Sequence, residues 1–182
     1  NTDWQGLFLQ TGLISNVDAS IAAAKEDYSY RFSFNRYSED GVMKGYGIQR
    51  VTPRLFLQVN PAKSLQIQTN LFVGLTTAKH GQGDQNKYPF TTWGFPSSFW
   101  KIGKAEEELY TGRYDQLMDD DKTTSINGNT SAQYTIMPGL NLKSTISYNI
   151  NNNTRSYFKP NLLSSSGLNE AYGWIYQGNR WE

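Results

Sequence analysis

The sequence has no cysteine, one histidine and no run of eighteen apolar residues, and each of these gaps closes off a class of protein. Without cysteine there is neither a disulfide framework nor a thiolate metal site. With one histidine, any Ser-His-Asp or Cys-His arrangement has to run through His80. Without a long apolar run no membrane helix is expected, although a membrane strand needs only ~9–11 residues and alternates too finely to show in a hydropathy average. A strong field is also lacking. Lys and Arg total 17 against 16 Asp and Glu, and the basic residues are scattered, so nothing here would track the phosphates of a nucleic acid. The first residue is Asn1, with no initiator Met and no leader-like segment, which suggests a processed chain or a piece of a longer one.

What is present is a mixture that neither disorder nor a compact soluble core explains. Only 37% of the residues are hydrophobic and the mean hydropathy is -0.62, yet 14% are aromatic. Disordered chains are poor in aromatic and β-branched residues. A sheet with one apolar and one wet face accommodates both numbers, and the order of the residues supports it. From Asp27 to Tyr37, the side chains of Tyr28, Tyr30, Phe32 and Phe34 alternate with Ser29, Arg31, Ser33 and Asn35. A helix would scatter those aromatics around its circumference, whereas a strand puts them on one face.

The same period of two recurs along the chain. It predicts strands at about 13–24, 27–37, 49–60, 64–77, 122–136, 140–151 and, less cleanly, 170–181. Pro53 falls inside the third and removes a ladder donor, so a bulge or a strand-start irregularity is expected there. Tight turns are expected at Lys25-Glu26-Asp27, Asn60-Pro61-Ala62-Lys63 and Met137-Pro138-Gly139. Longer links are expected at 38–47, 78–121 and 152–169, with a helical turn or two at 104–110. In an up-and-down meander successive connections emerge at opposite ends. One end therefore carries the tight turns and the other carries the long loops, as in outer-membrane barrels.

A soluble sandwich also uses amphipathic strands, with the apolar faces meeting each other. Strand lengths of about 11–14 residues exceed the ~5–6 of an average strand. Trp4, Tyr28, Tyr46, Tyr148, Trp174 and Trp181 fall near strand ends, as interfacial girdles would. Both features favour lipid. The fold class read from the pattern is all-β, an antiparallel up-and-down transmembrane β-barrel. Six or seven strands are too few for closure, so residues 1–182 make a partial wall. A secreted carbohydrate-binding sandwich is the alternative, separated by what touches Tyr30, Phe32, Leu55 and Leu71.

Ordered words in the sequence add a resemblance. Asn1-Thr2-Asp3-Trp4-Gln5 followed by Thr11-Gly12, then Asp40-Gly41-Val42-Met43-Lys44, Gln49-Arg50 and Arg54-Leu55-Phe56-Leu57, is similar in order and spacing to SusC/RagA-type TonB-dependent transporters. Ala132-Gln133-Tyr134 with Pro138-Gly139-Leu140 and Tyr148 resembles a hairpin of the same family. Ala22-Ala23-Ala24 departs from the family's usual Gly pair, and 78–121 does not align. The resemblance implies a bacterial outer-membrane importer whose barrel of about 22 strands encloses a plug. It further implies TonB acting through a plug region outside these residues, a SusD-like surface lipoprotein partner, surrounding outer-membrane lipid, and oligosaccharide or peptide substrates. No cofactor and no catalytic role are implied.

Candidate chemistry outside the strands is sparse. His80 sits in a Gly-rich stretch without a nucleophile elbow and reads as loop filler. Glu106-Glu107-Glu108 and Asp119-Asp120-Asp121 lack the spacing of a calcium loop and read as solvated runs. The aromatics of 88–100 (Tyr88, Phe90, Trp93, Phe95, Phe99 and Trp100) are denser than a loop needs. Sugar C–H faces stack on aromatic π-faces, so Tyr88, Trp93, Phe99 and Trp100 are the candidate substrate-binding residues, the plainer reading being packing of the loop on itself. Arg31, Arg54 and Lys143 project from polar faces, where lumen-lining structural roles are expected.

Overall fold

A computed structural model of the chain describes residues 1–81, 97–104, 118–159 and 172–181. After a short helix, α1 (Trp4–Phe8), seven strands follow: β1 (Leu13–Ala24), β2 (Tyr28–Asp40), β3 (Tyr46–Ala62), β4 (Leu65–His80), β5 (Met118–Met137), β6 (Leu140–Lys159) and β7 (Tyr172–Trp181). They form one sheet in strict chain order, each strand antiparallel to the next. This is an up-and-down meander that stays open, a section of barrel wall.

Strand parity decides which residues share a face. The register pairs Ala19 with Phe34, Phe32 with Leu55, Leu55 with Leu71, and Ile126 with Ile150, so the apolar sets of neighbouring strands align on one side. Among the described residues no second sheet covers them: Ile21 is 60% exposed and Ile146 70%. Among the described residues the only buried apolar side chains are Trp4 and Tyr157, neither of which belongs to that band. The sandwich alternative requires the apolar faces to be buried, whereas Phe32 is exposed and Tyr30, Leu55 and Leu71 are only partly covered, by their neighbours in the same sheet.

The band also has a definite height. On the outward face of β6, Leu140, Leu142, Ile146, Tyr148 and Ile150 give way to Asn152, Thr154 and Ser156. On β5, Ile136, Tyr134, Ala132 and Ile126 give way to Thr124, Lys122 and Asp120. On β4, Leu65 through Leu75 give way to Thr77 and Lys79. At ~3.3 Å per residue and a tilt of ~40°, the run Leu140–Ile150 rises roughly 25 Å, the height of a lipid-facing belt. Beyond it the strands continue with mostly polar side chains on both faces, Met118, Tyr157 and Phe158 apart. For that reason β5 starts at Met118 and β6 reaches Lys159, past the bounds that apolar alternation suggests.

Among the exceptions on the outward face, two are handled locally. Thr69 and Thr130 face each other with hydroxyls 3.2 Å apart and satisfy one another. Gly128 lies opposite Tyr148, whose ring folds over it: a Cβ at Gly128 would sit 2.2 Å from Tyr148 Cζ. The aromatic supplies the cover that glycine cannot.

Pro53 corrects the expectation attached to it. Val51 faces Leu75 and Arg54 faces Phe72, so register is unbroken across it and only the Thr52 and Pro53 rungs toward β4 lapse. The register shift lies instead between Val59 and Ala62, beside the turn into β4. The tight turns are at 25–27, 63–64 and 138–139, the last with Gly139 at φ 89. The opposite end carries 41–45 and the connections from β4 to β5 and from β6 to β7.

If the outward band faces hydrocarbon, arginine should be costly there and tolerated above it. In the full-length protein, Ile146→Arg or Leu71→Arg should destabilise the barrel by ~2–4 kcal/mol and Thr154→Arg by ~0–1 kcal/mol. Denaturant titration in phospholipid vesicles measures both; equal costs at the two heights would contradict a lipid-facing band.

Candidate functional site

The opposite face of the sheet is concave and polar. Its central rows run Ser20–Ser33–Arg54–Phe72–Asn127–Asn149 and Ala22–Arg31–Phe56–Asn70–Asn129–Ser147 across β1 to β6. Their β2 to β6 members line a trough of about 750 Å³. Phe56 and Phe72, which interrupt the polar sets of their strands, both open into it. The guanidinium of Arg54 lies 5.3 Å from the Phe72 ring centroid, a cation–π contact. Asn70 donates to Asn129 Oδ1 at 3.0 Å, bridging β4 and β5. Asn149 Oδ1 is buried without a hydrogen-bond partner.

Toward the long-loop end this face carries a second cluster, above the apolar band. Arg155 on β6 donates from Nε to Asp119 Oδ1 at 2.9 Å and from Nη2 to Oδ2 at 3.0 Å, a bidentate pair. Asp119 is buried, at 3% exposure. His80 Nε2 lies 3.0 Å from Asp121 Oδ2. The hydrogen bond to Asp119 raises the Arg155 guanidinium above its ordinary pKa, outweighing the opposing effect of burial. Burial, assisted by the Asp119 charge, raises the Tyr46 phenol.

These contacts correct two expectations. His80 is the last residue of β4, paired with a carboxylate, where a free loop was expected. Asp119 and Asp121 are rungs of β5 paired with Arg155 and His80, where a solvated acidic run was expected. Alternation conceals both, because here each side of the strand is polar. The surviving signal is parity: Asp119 and Asp121 share the odd positions of Asn127 and Asn129, and Arg155 those of Asn149 and Asn151.

A third cluster joins the first residues to the β4–β5 connection. Thr2 N donates to Ser98 O at 2.9 Å and Thr2 Oγ1 to Trp100 O at 2.6 Å. Trp4 Nε1 donates to Ser97 O at 3.3 Å, and its ring meets that of Trp100 at 6.0 Å. Asp3 caps α1 through Gly6 N, and Lys44 Nζ reaches the carbonyls of Gly6 and Leu7. Trp4 is therefore the centre of a loop anchor and no girdle residue. Tyr46 likewise belongs to the inner face, opposite His80; the side chains of Trp174 and Trp181 lie outside the description. Of the candidate substrate-binding residues, Phe99 is 83% exposed, while Trp100 is 49% exposed and tied to Trp4. Tyr88 and Trp93 lie outside the described residues, as do Phe90, Phe95, Glu106-Glu107-Glu108 and the helical turn expected at 104–110, apart from Lys104.

Comparison with known proteins places this wall. No family model matches the chain. TonB-dependent receptor P3 of Formosa agariphila is 26% identical over 92% of the chain, and TonB-dependent receptor P26 of the same organism is 35% identical over 36% of it. A chain of the RagAB peptide transporter superposes with a TM-score of 0.66 over 90% of this chain at 19% identity. The RagAB peptide importer in its open-open state gives 0.67 over 87% at 20% identity. The resemblance to SusC/RagA-type TonB-dependent transporters holds in sequence and in fold. The chain spans about a fifth of those proteins, 19% of receptor P3 and 20% of the RagAB chain, and aligns with one sector of each. The named relatives are receptors and transporters, and the trough and rim lie on what is, in such a barrel, the inner wall.

The Asp119–Arg155 pair offers a clean energetic test of the rim. Arg155→Gln leaves a buried carboxylate unpaired and should cost ~1–3 kcal/mol, discounted for the half-exposed arginine. Adding Asp119→Asn should restore part of that loss, and a double-mutant cycle on the full-length protein reads the coupling. Additive losses would mean that the two side chains contribute independently.

Proposed function

We propose that this chain is a sector of an outer-membrane, TonB-dependent importer that takes up oligosaccharides or peptides. In this reading the outward band sits in outer-membrane lipid and the polar face lines the lumen around a plug supplied by another part of the protein. A SusD-like surface lipoprotein covers the long-loop end. The observation that carries the proposal is the division of one sheet into a bare apolar belt of bilayer height and a continuous polar wall behind it. A soluble protein has no use for the first, and a structural membrane anchor has no use for the second. The RagAB superposition and the TonB-dependent receptor similarity support the same assignment.

Within it, Tyr88, Trp93, Phe99 and Trp100 are proposed to form an aromatic vestibule at the extracellular mouth. Phe99 is the member best placed to meet a solute, because its ring is free of the Trp4 anchor that holds Trp100.

Deletion of the full-length gene should abolish uptake and growth on one class of oligosaccharide or peptide, and loss of TonB should reproduce the defect. Phe99→Ala should lower that uptake several-fold with the amount of barrel in the outer membrane unchanged. Growth on a panel of glycans and peptides, with immunoblotting of membrane fractions, measures both. A deletion strain that grows normally on every member of the panel would remove the importer reading.

A further inference from the structure

Residues 97–102 lie between β4 and β5, yet they are fastened to the segment that precedes β1. The fastening has its footing in the wall. Gln10 N donates to Val42 O at 2.8 Å and Lys44 N to Phe8 O at 3.0 Å. Gln10 Nε2 donates to Gly41 O at 2.9 Å, and Lys44 Nζ reaches the carbonyls of Gly6 and Leu7. Residues 6–10, at the end of α1 and just after it, are thus stitched to the turn between β2 and β3. From that footing Thr2 and Trp4 reach across to 97–102.

What they bind there is main chain. Thr2 N donates to Ser98 O, and Thr2 Oγ1 donates to Trp100 O while accepting from Ile102 N at 3.3 Å. Trp4 Nε1 donates to Ser97 O, the same carbonyl that accepts from Trp100 N at 3.0 Å and closes a turn. The Trp100 ring then leans on the buried ring of Trp4. Ser98, Phe99 and Lys101 are exposed, and their side chains take no part in these bonds. An amide or a carbonyl offers the same donor or acceptor whatever side chain its residue carries. The clamp therefore recognises the path of the chain at these positions and not its composition.

From this we infer that Thr2 and Trp4 are positioning residues. They form a mount, blind to the side chains at 98, 99 and 101, that fixes the backbone of 97–102 at the long-loop end and with it the place of Phe99. The chemistry offered at the mouth then changes by substitution at those three positions while the wall stays as it is. The inference rests on the importer reading above. It deepens that reading by separating the residues that hold the vestibule from the residue that would meet the solute.

Hydrogen exchange on the full-length protein in detergent tests the mount without any solute. The amides of Trp100 and Ile102 should be protected, and Thr2→Val or Trp4→Ala should speed their exchange roughly tenfold. Exchange at Val73 and Ile126, in the β4–β5 ladder, should not change. Trp4→Phe keeps an aromatic ring and loses the Nε1 bond, so it should fall between wild type and Trp4→Ala. Ser98→Ala and Lys101→Ala should match the wild type. A second arm measures uptake by whole cells of the glycan or peptide whose use depends on the gene. Trp4→Ala should raise the KM for uptake about as much as Phe99→Ala, with the maximal rate kept, and Trp4→Phe should recover part of it. The double variant should be no worse than either single one, because both act through the same ring. Unchanged exchange in both Thr2→Val and Trp4→Ala, or equal acceleration by Ser98→Ala, overturns the mount. Losses that multiply in the double variant overturn the route through Phe99. Where Trp4→Ala fails to fold, Thr2→Val decides the matter, since it removes a single hydroxyl. The importer reading falls separately: exchange that follows the mount without any gene-dependent uptake retains the mount and removes the transport.

Discussion

In hydrocarbon, a backbone N–H or C=O that finds no partner costs several kcal/mol, so each strand of a membrane sheet must give its ladder bonds to its neighbours. That requirement organises the rest of this wall. It makes the strands long, keeps them in chain order and holds their register, because a slip of one residue would exchange the lipid and lumen faces of a whole strand. Pro53 shows how firm the constraint is. It lacks a donor, yet the register on its two sides is the same, and the only local consequence is two lapsed rungs toward β4. The irregularity that does occur lies at Val59–Ala62, at the turn end of the strand, where the chain must reverse.

How much of this could be read beforehand follows from where the constraint writes into side chains. Inside the belt, lipid demands apolar residues on one face, so Tyr28, Phe32, Leu55, Leu71 and Ile146 betray their strands, their faces and their partners. Above the belt, water accepts polar side chains on both faces, and the alternation that reveals a strand disappears although the ladder continues. The extensions to Met118 and Lys159 were hidden for that reason, and with them the pairings of Asp119 with Arg155 and His80 with Asp121. α1 was hidden for a different one. Its short run around Trp4 has no period of its own and is held by contacts from 97–100 and from Lys44, which are remote in sequence.

The aromatic residues show that one residue type serves three distinct physical ends here. Tyr148 lies on the outer face and covers Gly128. Phe56 and Phe72 lie on the inner face, where they break the polar pattern and shape the trough. Trp4 and Trp100 stand at the long-loop end and join two distant parts of the chain. Proximity to a strand end does not distinguish these roles. Parity separates the first two, and only the tertiary hydrogen bonds of Thr2 and Trp4 reveal the third.

Height along the wall likewise separates two uses of charge. At the rim, Asp119 is buried and clamped in both oxygens by Arg155, so the pair consumes its own charge and fastens β5 to β6 where the lipid no longer confines them. At mid-wall, the outer face is at its most apolar and the strands are already confined, so no ion pair is needed for cohesion. Arg31 and Arg54 nonetheless stand there, on the inner face, with their charges unspent on any described carboxylate of the wall. Arg54 lies against the Phe72 ring of the neighbouring strand, so an aromatic face holds a guanidinium at mid-wall where a carboxylate holds one at the rim.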